Sequence, residues 1–314
     1  MSKKVLITDK VHPILIKGLD AAGFKVTYDT SVDNGVLDQI LDQYDGLIIN
    51  SKIIMNKARI DKGKKLLFIG RLGSGLEIID VQYAKKKKIK VFNSPEGNSN
   101  AVAEHEMAML LCLMNNILIA DQEVRQFTWN RELNRGTELR GKTVGIIGMG
   151  HTGVAFAEKL SPWRLNVICY DKYKKRFPSS LRFVHKTDLD TVLSQSDIIS
   201  LHLPLTEETR YLVDENFISR CKDKVIISNT SRGQVVDTKA LIQGLGTGKI
   251  SGACLDVFEN EKPESFSTAE KEMYGTLYRM KQVIVTPHIA GWTHESLELI
   301  AQVLLDKILK GISK

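Results

Sequence analysis

Short apolar runs alternate with amphipathic stretches along the first ninety residues of the chain. The apolar runs are KVLIT, FKVTYD, GLIIN, LLFIG and KVFN, at residues 4–8, 24–29, 46–50, 66–70 and 90–93. Between the first two lies HPILIKGLDAAG, which has helical spacing and ends at Gly23. Strands that alternate with helices predict βαβ units and therefore a parallel sheet.

A second series of the same kind begins at Lys142. Its apolar runs are TVGIIGMG, NVICYD, DIISLHLP, VIISNTS, GACLDVF and VIVTPHIAG, at residues 143–150, 166–171, 197–204, 225–231, 252–258 and 283–291. The chain then continues into HESLELIAQVLLDKILKGI, which predicts one amphipathic helix. Two separate series predict two α/β domains.

The segment that joins the two series, residues 94–124, predicts a loop followed by one long helix with Ser99 and Asn100 as cap candidates. This helix is apolar nearly all round, so we expect it to be buried between domains or subunits. Residues 262–280 predict a long polar loop. The lysine run at 85–88 contains no aromatic residue, which favours a solvated helix end over a nucleic-acid site.

Composition adds few constraints. At 314 residues, with 43% hydrophobic and 26% charged residues, the chain is long enough for two ordinary globular domains. The net charge of +7 favours an anionic small-molecule substrate. Four scattered cysteines form no CxxC pair and the histidines have no ligand spacing, so we expect free thiols and no metal. No signal peptide or membrane span is apparent, which predicts a cytoplasmic protein without membrane or nucleic-acid partners.

The stretch VGIIGMGHTGVAFAEKL (144–160) predicts a dinucleotide site, because an apolar strand leads through a GxGxxG turn into a helix. The three glycines are Gly148, Gly150 and Gly153. In such a turn the first allows the tight bend, the second lets a pyrophosphate approach, and the third lets helix and strand pack. The amides of His151 and Thr152 would face the phosphates at the helix N-terminus.

The next strand of this series ends in Asp171, at the spacing expected for a carboxylate that binds the adenosine ribose hydroxyls. A carboxylate there repels the 2′-phosphate of NADP, so the prediction is NAD. Three lysines follow closely, at 172, 174 and 175.

Three later strand ends carry charged residues: Arg232, the acidic stretch at 256–261, and His288. The carboxyl ends of parallel strands line one crevice, so these groups are expected to converge beside the cofactor. An imidazole can take the proton of an alcohol, a carboxylate can orient that imidazole, and a guanidinium can bind a substrate carboxylate through two hydrogen bonds. This combination predicts hydride transfer from a 2-hydroxy acid, with both Glu259 and Glu261 available as the partner of the imidazole.

The motifs GMGHTG, LHLPLTEET, NTSRGQVVD, GACLDVFENE and TPHIAG occur in the order found in the D-isomer-specific 2-hydroxyacid dehydrogenase family, which the chain resembles over nearly its whole length. The resemblance implies an α/β fold of two Rossmann-like domains. One is a discontinuous, flavodoxin-like substrate domain at 1–97 and 287–314. The other is an inserted, doubly wound NAD-binding domain at 98–286. It also implies a homodimer formed through the helix after Ser99.

The resemblance assigns roles residue by residue. Arg232 is the substrate clamp, Glu261 the acid and His288 the acid/base. Cofactor contacts fall on the glycine-rich turn and on Asp171, Leu203, Pro204, Thr209, Thr230, Ser231, Arg232, Asp256, His288, Ala290 and Gly291. Substrate contacts fall on Asn50, Lys52, Arg71, Ser74, Gly75, Arg131, Arg232 and His288, with Arg131 reaching in from the partner subunit.

Within the family, GRLGSG, NSPEGNSNAVAE and the WNR…GTEL stretch are most similar to D-3-phosphoglycerate dehydrogenases. The leading expectation is therefore oxidation of 3-phosphoglycerate to 3-phosphohydroxypyruvate, the first step of serine biosynthesis. Asn50 stands where those enzymes have an arginine, with Lys52 as a possible substitute. Two alternatives stay open: a hydroxypyruvate or glyoxylate reductase, and a dinucleotide-sensing protein of the corepressor type.

Overall fold

The chain forms two compact units in the computed structural model, which describes residues 2–312. Unit 1 comprises Met1–Ser99 and Trp292–Lys314, and unit 2 comprises Asn100–Gly291. The predicted boundaries were 1–97 with 287–314, and 98–286. The chain returns from unit 2 to unit 1 after Gly291, later than predicted. The reason is that the amides of residues 288, 289 and 290 donate hydrogen bonds to Asp256 of unit 2.

The strands, in chain order, are β1 (Lys4–Ile7), β2 (Lys25–Tyr28), β3 (Gly46–Ile49), β4 (Phe68–Arg71), β5 (Lys90–Asn93), β6 (Thr143–Ile147), β7 (Asn166–Tyr170), β8 (Val184–Lys186), β9 (Ile198–Leu201), β10 (Val225–Asn229), β11 (Ile250–Leu255) and β12 (Val283–Val285). The α-helices are α1 (Pro13–Ala21), α2 (Asn34–Ile40), α3 (Lys57–Lys62), α4 (Val81–Lys86), α5 (Ser99–Met114), α6 (Ile117–Arg125), α7 (His151–Leu160), α8 (Leu189–Gln195), α9 (Glu215–Arg220), α10 (Thr238–Thr247), α11 (Thr268–Tyr278) and α12 (His294–Ile312).

Unit 1 is built on a parallel five-stranded sheet in the order β2-β1-β3-β4-β5, which is the flavodoxin-like order. The helix α12, from the far end of the chain, packs against α1 and β4. The two helices α1 and α12 approach closely at Gly18, where a Cβ would lie against the side-chain methyl groups of Leu305. Unit 1 is therefore completed by residues from both ends of the chain.

Unit 2 is built on a parallel seven-stranded sheet in the order β12-β11-β10-β9-β6-β7-β8. Every residue of β9 is buried, as expected for a strand covered by helices on both faces. The strand order reverses between β6 and β9, and ligands bind at the carboxyl ends of the strands at such a switch point. The sheet confirms the predicted doubly wound fold, although the edge strand β8 was not predicted because only Val184 of it is buried.

The prediction of one long helix after Ser99 is wrong in length. Asn116 adopts a left-handed backbone with φ of 51°, which ends α5 and starts α6 at a bend of 63°. α5 is half buried, whereas no residue of α6 is buried within the chain. No single helix among residues 2–312 is long and apolar enough to cross a membrane. Within this range, only the bent pair formed by α5 and α6 together has the length and apolar composition of a membrane span.

The prediction of a polar loop at 262–280 is also wrong, because this segment contains α11. Ser267 and Glu270 form a capping box that starts the helix. Tyr274 is 1% exposed and stacks on Phe266 at 4.8 Å between ring centroids. Only the face that carries Tyr274 and Leu277 is buried, so the polar residues dominate the sequence pattern without preventing the helix.

Candidate active site

The GxGxxG turn has the geometry that a pyrophosphate requires. Gly148 has φ of +93°, and a Cβ there would collide with the carbonyl oxygen of His202. A Cβ at Gly153 would collide with the carbonyl oxygen of Gly148, so this glycine allows α7 to pack on β6. Gly150 has open space in front of it, and no side chain caps α7 there. The start of α7, at His151, can therefore accept an anion.

Asp171, which follows β7, is tied to this turn. Its Oδ2 accepts a hydrogen bond from the amide of Met149 at 2.7 Å, and its Oδ1 accepts from the amides of Tyr173 and Lys174 at 2.9 and 2.7 Å. Burial would raise the pKa of Asp171, but the hydrogen bonds from these amides outweigh it and lower the pKa. The carboxylate is therefore ionised at neutral pH, which suits ribose binding and disfavours a 2′-phosphate.

The remaining residues that were predicted to contact the cofactor follow the carboxyl ends of three strands. They are Leu203, Pro204 and Thr209 after β9, Thr230 and Ser231 after β10, and Ala290 and Gly291 after β12. The loop after β9 is held by Thr209, whose hydroxyl donates to the carbonyl of Pro204 at 2.6 Å. Ser231 is fixed by its amide and hydroxyl, which both donate to the side chain of Asn229. These loops lie side by side where the parallel strands of the seven-stranded sheet end, which is its carboxyl-terminal edge.

His288 and Glu261 form a hydrogen-bonded pair at this edge. The Nδ1 of His288 lies 2.8 Å from the Oε2 of Glu261, and both side chains are partly exposed. The structure thus separates the two glutamates left open by the sequence, because Glu259 instead accepts from the hydroxyl of Tyr211 and the amide of Thr238. With Nδ1 engaged, the Nε2 of His288 is the atom that can exchange a proton with a ligand.

The electrostatics of this pair favour a charged imidazole. The hydrogen bond to Glu261 raises the pKa of His288, against the opposing effect of burial. Burial is the largest single influence on Glu261 and would raise its pKa, but the hydrogen bond and charge of His288, the amide of Phe258 and the charge of Arg232 together lower it. The positive charge of Arg232 is a smaller influence that disfavours protonation of both groups, so it adds to the lowering of the Glu261 pKa and offsets part of the rise at His288.

The backbone at His288 is in the left-handed region, with φ of 55°, which is uncommon for a non-glycine residue. Asp256 holds this turn: its carbonyl accepts from the amide of His288 at 2.8 Å, and its carboxylate accepts from the amides of Ile289 and Ala290, also at 2.8 Å. Asp256 is 1% exposed. Its carboxylate, which was predicted to contact the cofactor, is thus occupied with positioning the turn that carries His288.

Arg232 follows β10 in an extended conformation, and its guanidinium donates to the carbonyl of Ser231 at 2.6 Å. The backbone around it is anchored by Asn229, whose side-chain amide donates to the carbonyl of Arg232 at 2.9 Å. Gly233 is required next, because a Cβ there would collide with the carbonyl of Phe258. The SRG sequence therefore brings the loop after β10 against the loop after β11, which carries Glu261.

In unit 1, the predicted substrate residues lie at or directly after the carboxyl ends of β3 and β4. The amide of Asn50 donates to Asp9 at 3.0 Å, and the ammonium of Lys52 donates to the carbonyl of Thr30 at 2.7 Å. The guanidinium of Arg71 donates to the carbonyl of Leu72 at 2.5 Å.

The loop after β4 carries the other two substrate residues predicted in unit 1. The hydroxyl of Ser74 donates to the side-chain oxygen of Asn98 at 3.0 Å, and the carbonyl of Ser74 accepts from the side-chain amide of Asn93 at 2.7 Å. The neighbouring Gly75 is buried. The remaining predicted residue, Arg131, lies in unit 2, exposed in the irregular segment after α6.

Sequence reasoning missed two side chains behind the site. The Nε2 of His105 lies 3.0 Å from the hydroxyl of Thr286, which in turn donates to Asp256 at 2.6 Å. Glu106 is fully buried in α5. The signal for both is the presence of polar residues within an otherwise apolar helix. Within residues 2–312, no group of three or more His, Cys, Asp or Glu side chains is arranged to hold a metal ion.

Comparison with known proteins identifies relatives of the whole chain. A hydroxypyruvate reductase of Thermotoga maritima is 38% identical over 88% of this chain and 87% of its own length. A D-3-phosphoglycerate dehydrogenase of Archaeoglobus fulgidus is 32% identical over 98% of this chain, which spans 56% of that protein's length. A crystal structure of a D-lactate dehydrogenase from Aquifex aeolicus, complexed with NAD and lactic acid, is 30% identical with a TM-score of 0.86, and the match covers 99% of this chain and 95% of that one.

The sequence profile of one family matches residues 107–290, more than half of the chain. The profile describes the NAD binding domain of the D-isomer specific 2-hydroxyacid dehydrogenases. It spans the glycine-rich turn, Asp171, Arg232, Glu261 and His288, which are the features whose geometry is described above. By this match and by its relatives, the chain belongs to the D-isomer specific 2-hydroxyacid dehydrogenase family.

Proposed function

We propose that this chain is an NAD-dependent dehydrogenase that interconverts a D-2-hydroxy acid and the corresponding 2-oxo acid. The observation that carries the proposal is the pair formed by the Nδ1 of His288 and the Oε2 of Glu261 at 2.8 Å, under the influence of the charge of Arg232. The dinucleotide-sensing alternative does not require this pair. It would predict NADH binding with negligible turnover of any 2-oxo acid.

The residues divide the chemistry between them. When bound, the nicotinamide supplies or accepts the hydride. The Nε2 of His288 takes the proton of the substrate hydroxyl during oxidation and returns it to the carbonyl oxygen during reduction. Glu261 stabilises the imidazolium that forms and keeps the ring oriented through Nδ1. Arg232 binds the substrate carboxylate and, beside the reacting carbon, polarises the carbonyl group.

Replacing Glu261 with glutamine should change the pH dependence of the reaction. Oxidation needs neutral His288, so activity is lost as the pH falls through the pKa that Glu261 raises. Without the carboxylate this pKa is lower, and the acid limb of kcat/KM for oxidation should move to lower pH. Reduction needs the imidazolium, so its activity falls as the pH rises through the same pKa. In the variant this alkaline limb of kcat/KM should also move to lower pH.

The control for this change is Glu259→Gln, because Glu259 is bound to Tyr211 and Thr238 and not to His288. Both variants are measured as pH profiles of kcat/KM in each direction. An acid limb that stays in place in Glu261→Gln, or that moves equally in both variants, would contradict the assignment.

For the substrate, we propose 3-phosphoglycerate. Support comes from the Archaeoglobus relative, from the net charge of +7, which suits an anion of high charge, and from the resemblance that assigns Arg71 and Arg131 to its phosphate. A second candidate, hydroxypyruvate, is favoured by the Thermotoga relative, which is the more identical of the two at 38%. Asn50, in place of an arginine, also fits an unphosphorylated acid.

A substrate panel separates these candidates. We expect kcat/KM for reduction to be highest with 3-phosphohydroxypyruvate, lower with hydroxypyruvate and glyoxylate, and higher with NADH than with NADPH because of Asp171. The measurement is the initial rate of cofactor oxidation with each pair. Preference for hydroxypyruvate or glyoxylate would replace the first candidate with the second, and a preference for NADPH would contradict the role of Asp171.

We also propose that the protein acts as a homodimer. Apolar side chains on α6 and the following segment are exposed, including Phe127 at 100%, Trp129 at 77% and Leu133 at 79%. A second copy covering this surface would remove these side chains from water. Sedimentation velocity should show a dimer that Phe127→Glu with Leu133→Glu dissociates, whereas Tyr28→Glu on β2 should leave it intact.

A cytoplasmic location is proposed because all four cysteines are free thiols.

A further inference from the structure

Glu106 is a buried carboxylate that the proposed mechanism does not use. It lies in α5, is 0% exposed, and belongs to a helix whose other buried residues are all apolar. Transfer of a carboxylate out of water is unfavourable unless hydrogen bonds or opposite charges compensate for it. The groups around Glu106 must therefore compensate for the loss of water.

Two hydroxyl groups donate hydrogen bonds to Glu106, one to each oxygen. Ser200, the third residue of β9, donates to Oε1 at 2.5 Å, and Thr230, directly after β10, donates to Oε2 at 3.3 Å. Among residues 2–312, no lysine or arginine forms an ion pair with this carboxylate. A carboxyl group that accepts at both oxygens has the hydrogen-bonding pattern of the ionised form.

His202 also lies beside Glu106, but it supplies no positive charge to the carboxylate. Its Nε2 lies 2.7 Å from the hydroxyl of Ser200 and 3.5 Å from Glu106. Burial lowers the pKa of His202 and outweighs the opposing effect of Glu106, so the imidazole is neutral at neutral pH. Its Nδ1 is buried without a hydrogen-bond partner, which places the single proton on Nε2, donating to Ser200. The cluster of Glu106, Ser200, His202 and Thr230 thus contains no cation that would offset a charge on the carboxylate.

The cluster lies on one side of the dinucleotide site. Asp171 follows β7, and the glycine-rich turn follows β6, whereas Ser200 and Thr230 are in β9 and after β10. A dinucleotide that bound its adenosine ribose at Asp171 and its pyrophosphate at the turn would direct its nicotinamide half toward β9 and β10, across the switch point. The hydroxyl partners of Glu106 are therefore on the side of the switch point that would take the redox-active ring.

From this arrangement we propose that Glu106 is a positioning residue with an electrostatic effect on the cofactor. Through Ser200 and Thr230 it holds the ends of β9 and β10 in register, and its negative charge favours the cationic nicotinamide of NAD+ over the neutral ring of NADH. The proposal rests on the proposed function, in that it requires the chain to bind both dinucleotides. It does not require any particular substrate.

The test is the affinity of the protein for each dinucleotide, measured by titration calorimetry without substrate. Glu106→Gln keeps the shape of the side chain and removes the charge. We expect it to raise the ratio of Kd for NAD+ to Kd for NADH by about fivefold, as a unit charge acting through a protein interior would. The matched control is Glu104→Gln, two residues earlier in α5, whose exposed carboxylate pairs with Lys159 at 2.9 Å. Its ratio should stay unchanged.

A Glu106→Gln protein that folds and keeps the ratio, or weakens both dinucleotides equally, overturns the proposal and leaves only a packing role. If this variant does not fold, Ser200→Ala provides the same test. Loss of one donor makes the buried charge less stable, so the ratio should move in the same direction, and an unchanged ratio overturns the proposal. An unsubstituted protein that binds neither dinucleotide defeats the proposed function as well, whereas normal binding with an unchanged ratio defeats this inference alone.

Discussion

Replacing His288 with alanine is expected to lower kcat in both directions by about 10³-fold, the usual contribution of a positioned acid/base group. The substitution removes the only group assigned to carry the proton, at Nε2, while Glu261 and Arg232 remain. The glycine-rich turn and Asp171 belong to other loops, so the Kd for NADH should stay close to that of the unsubstituted protein. Initial rates and a fluorescence titration with NADH measure the two quantities.

The left-handed backbone at His288 calls for a second substitution, because alanine is disfavoured at positive φ. Asparagine tolerates this conformation and cannot act as an acid or base near neutral pH, so His288→Asn should lose as much activity as His288→Ala. The control is His185→Ala, at an exposed histidine of β8. Residual activity within tenfold of normal in His288→Asn would remove this histidine from the mechanism.

Replacing Arg232 with lysine is expected to lower kcat/KM for the 2-oxo acid by about 10²-fold, comparable to the loss of one donor that stabilises charge in the transition state. Lysine keeps the positive charge but cannot form two parallel hydrogen bonds to a carboxylate. Because the charge is kept, the acid limb of the oxidation profile, set by His288, should stay in place.

The matching control is Arg279→Lys, at an exposed arginine that follows α11 in the same unit. Its kcat/KM should be unchanged. Near-normal kcat/KM in Arg232→Lys would mean that charge alone suffices, and a loss confined to NADH binding would move Arg232 from the substrate to the cofactor. Each result is read from saturation curves in which one of the two ligands is varied.

The sequence was sufficient for the fold class because buried parallel strands are nearly continuous apolar runs, as in β9 and β10. It was also sufficient to bring Arg232, Glu261 and His288 to one edge, since the ends of parallel strands share an edge whatever the loops do. The choice between Glu259 and Glu261 depended on the resemblance, and only contacts with Tyr211 and Thr238 explain why Glu259 faces elsewhere.

The features that sequence reasoning missed depend on single residues or on tertiary contacts. The break between α5 and α6 depends on the left-handed backbone of Asn116, in a segment whose hydrophobic pattern continues across it. α11 is polar on most of its surface and is held by Tyr274, whose burial is a tertiary effect. The hydroxyl partners of Glu106, one in β9 and one directly after β10, are 94 and 124 residues away along the chain, so local patterns hold no information about them.

The hydrogen bonds that Asp171 accepts from Met149, Tyr173 and Lys174 have a consequence for protein engineering. The carboxylate that would discriminate against the extra phosphate of NADP also braces the turn on which either coenzyme must sit. A neutral residue introduced there to broaden coenzyme choice would also loosen that support, so a redesign toward NADP has to supply a new acceptor for the amide of Met149 along with a cation for the phosphate.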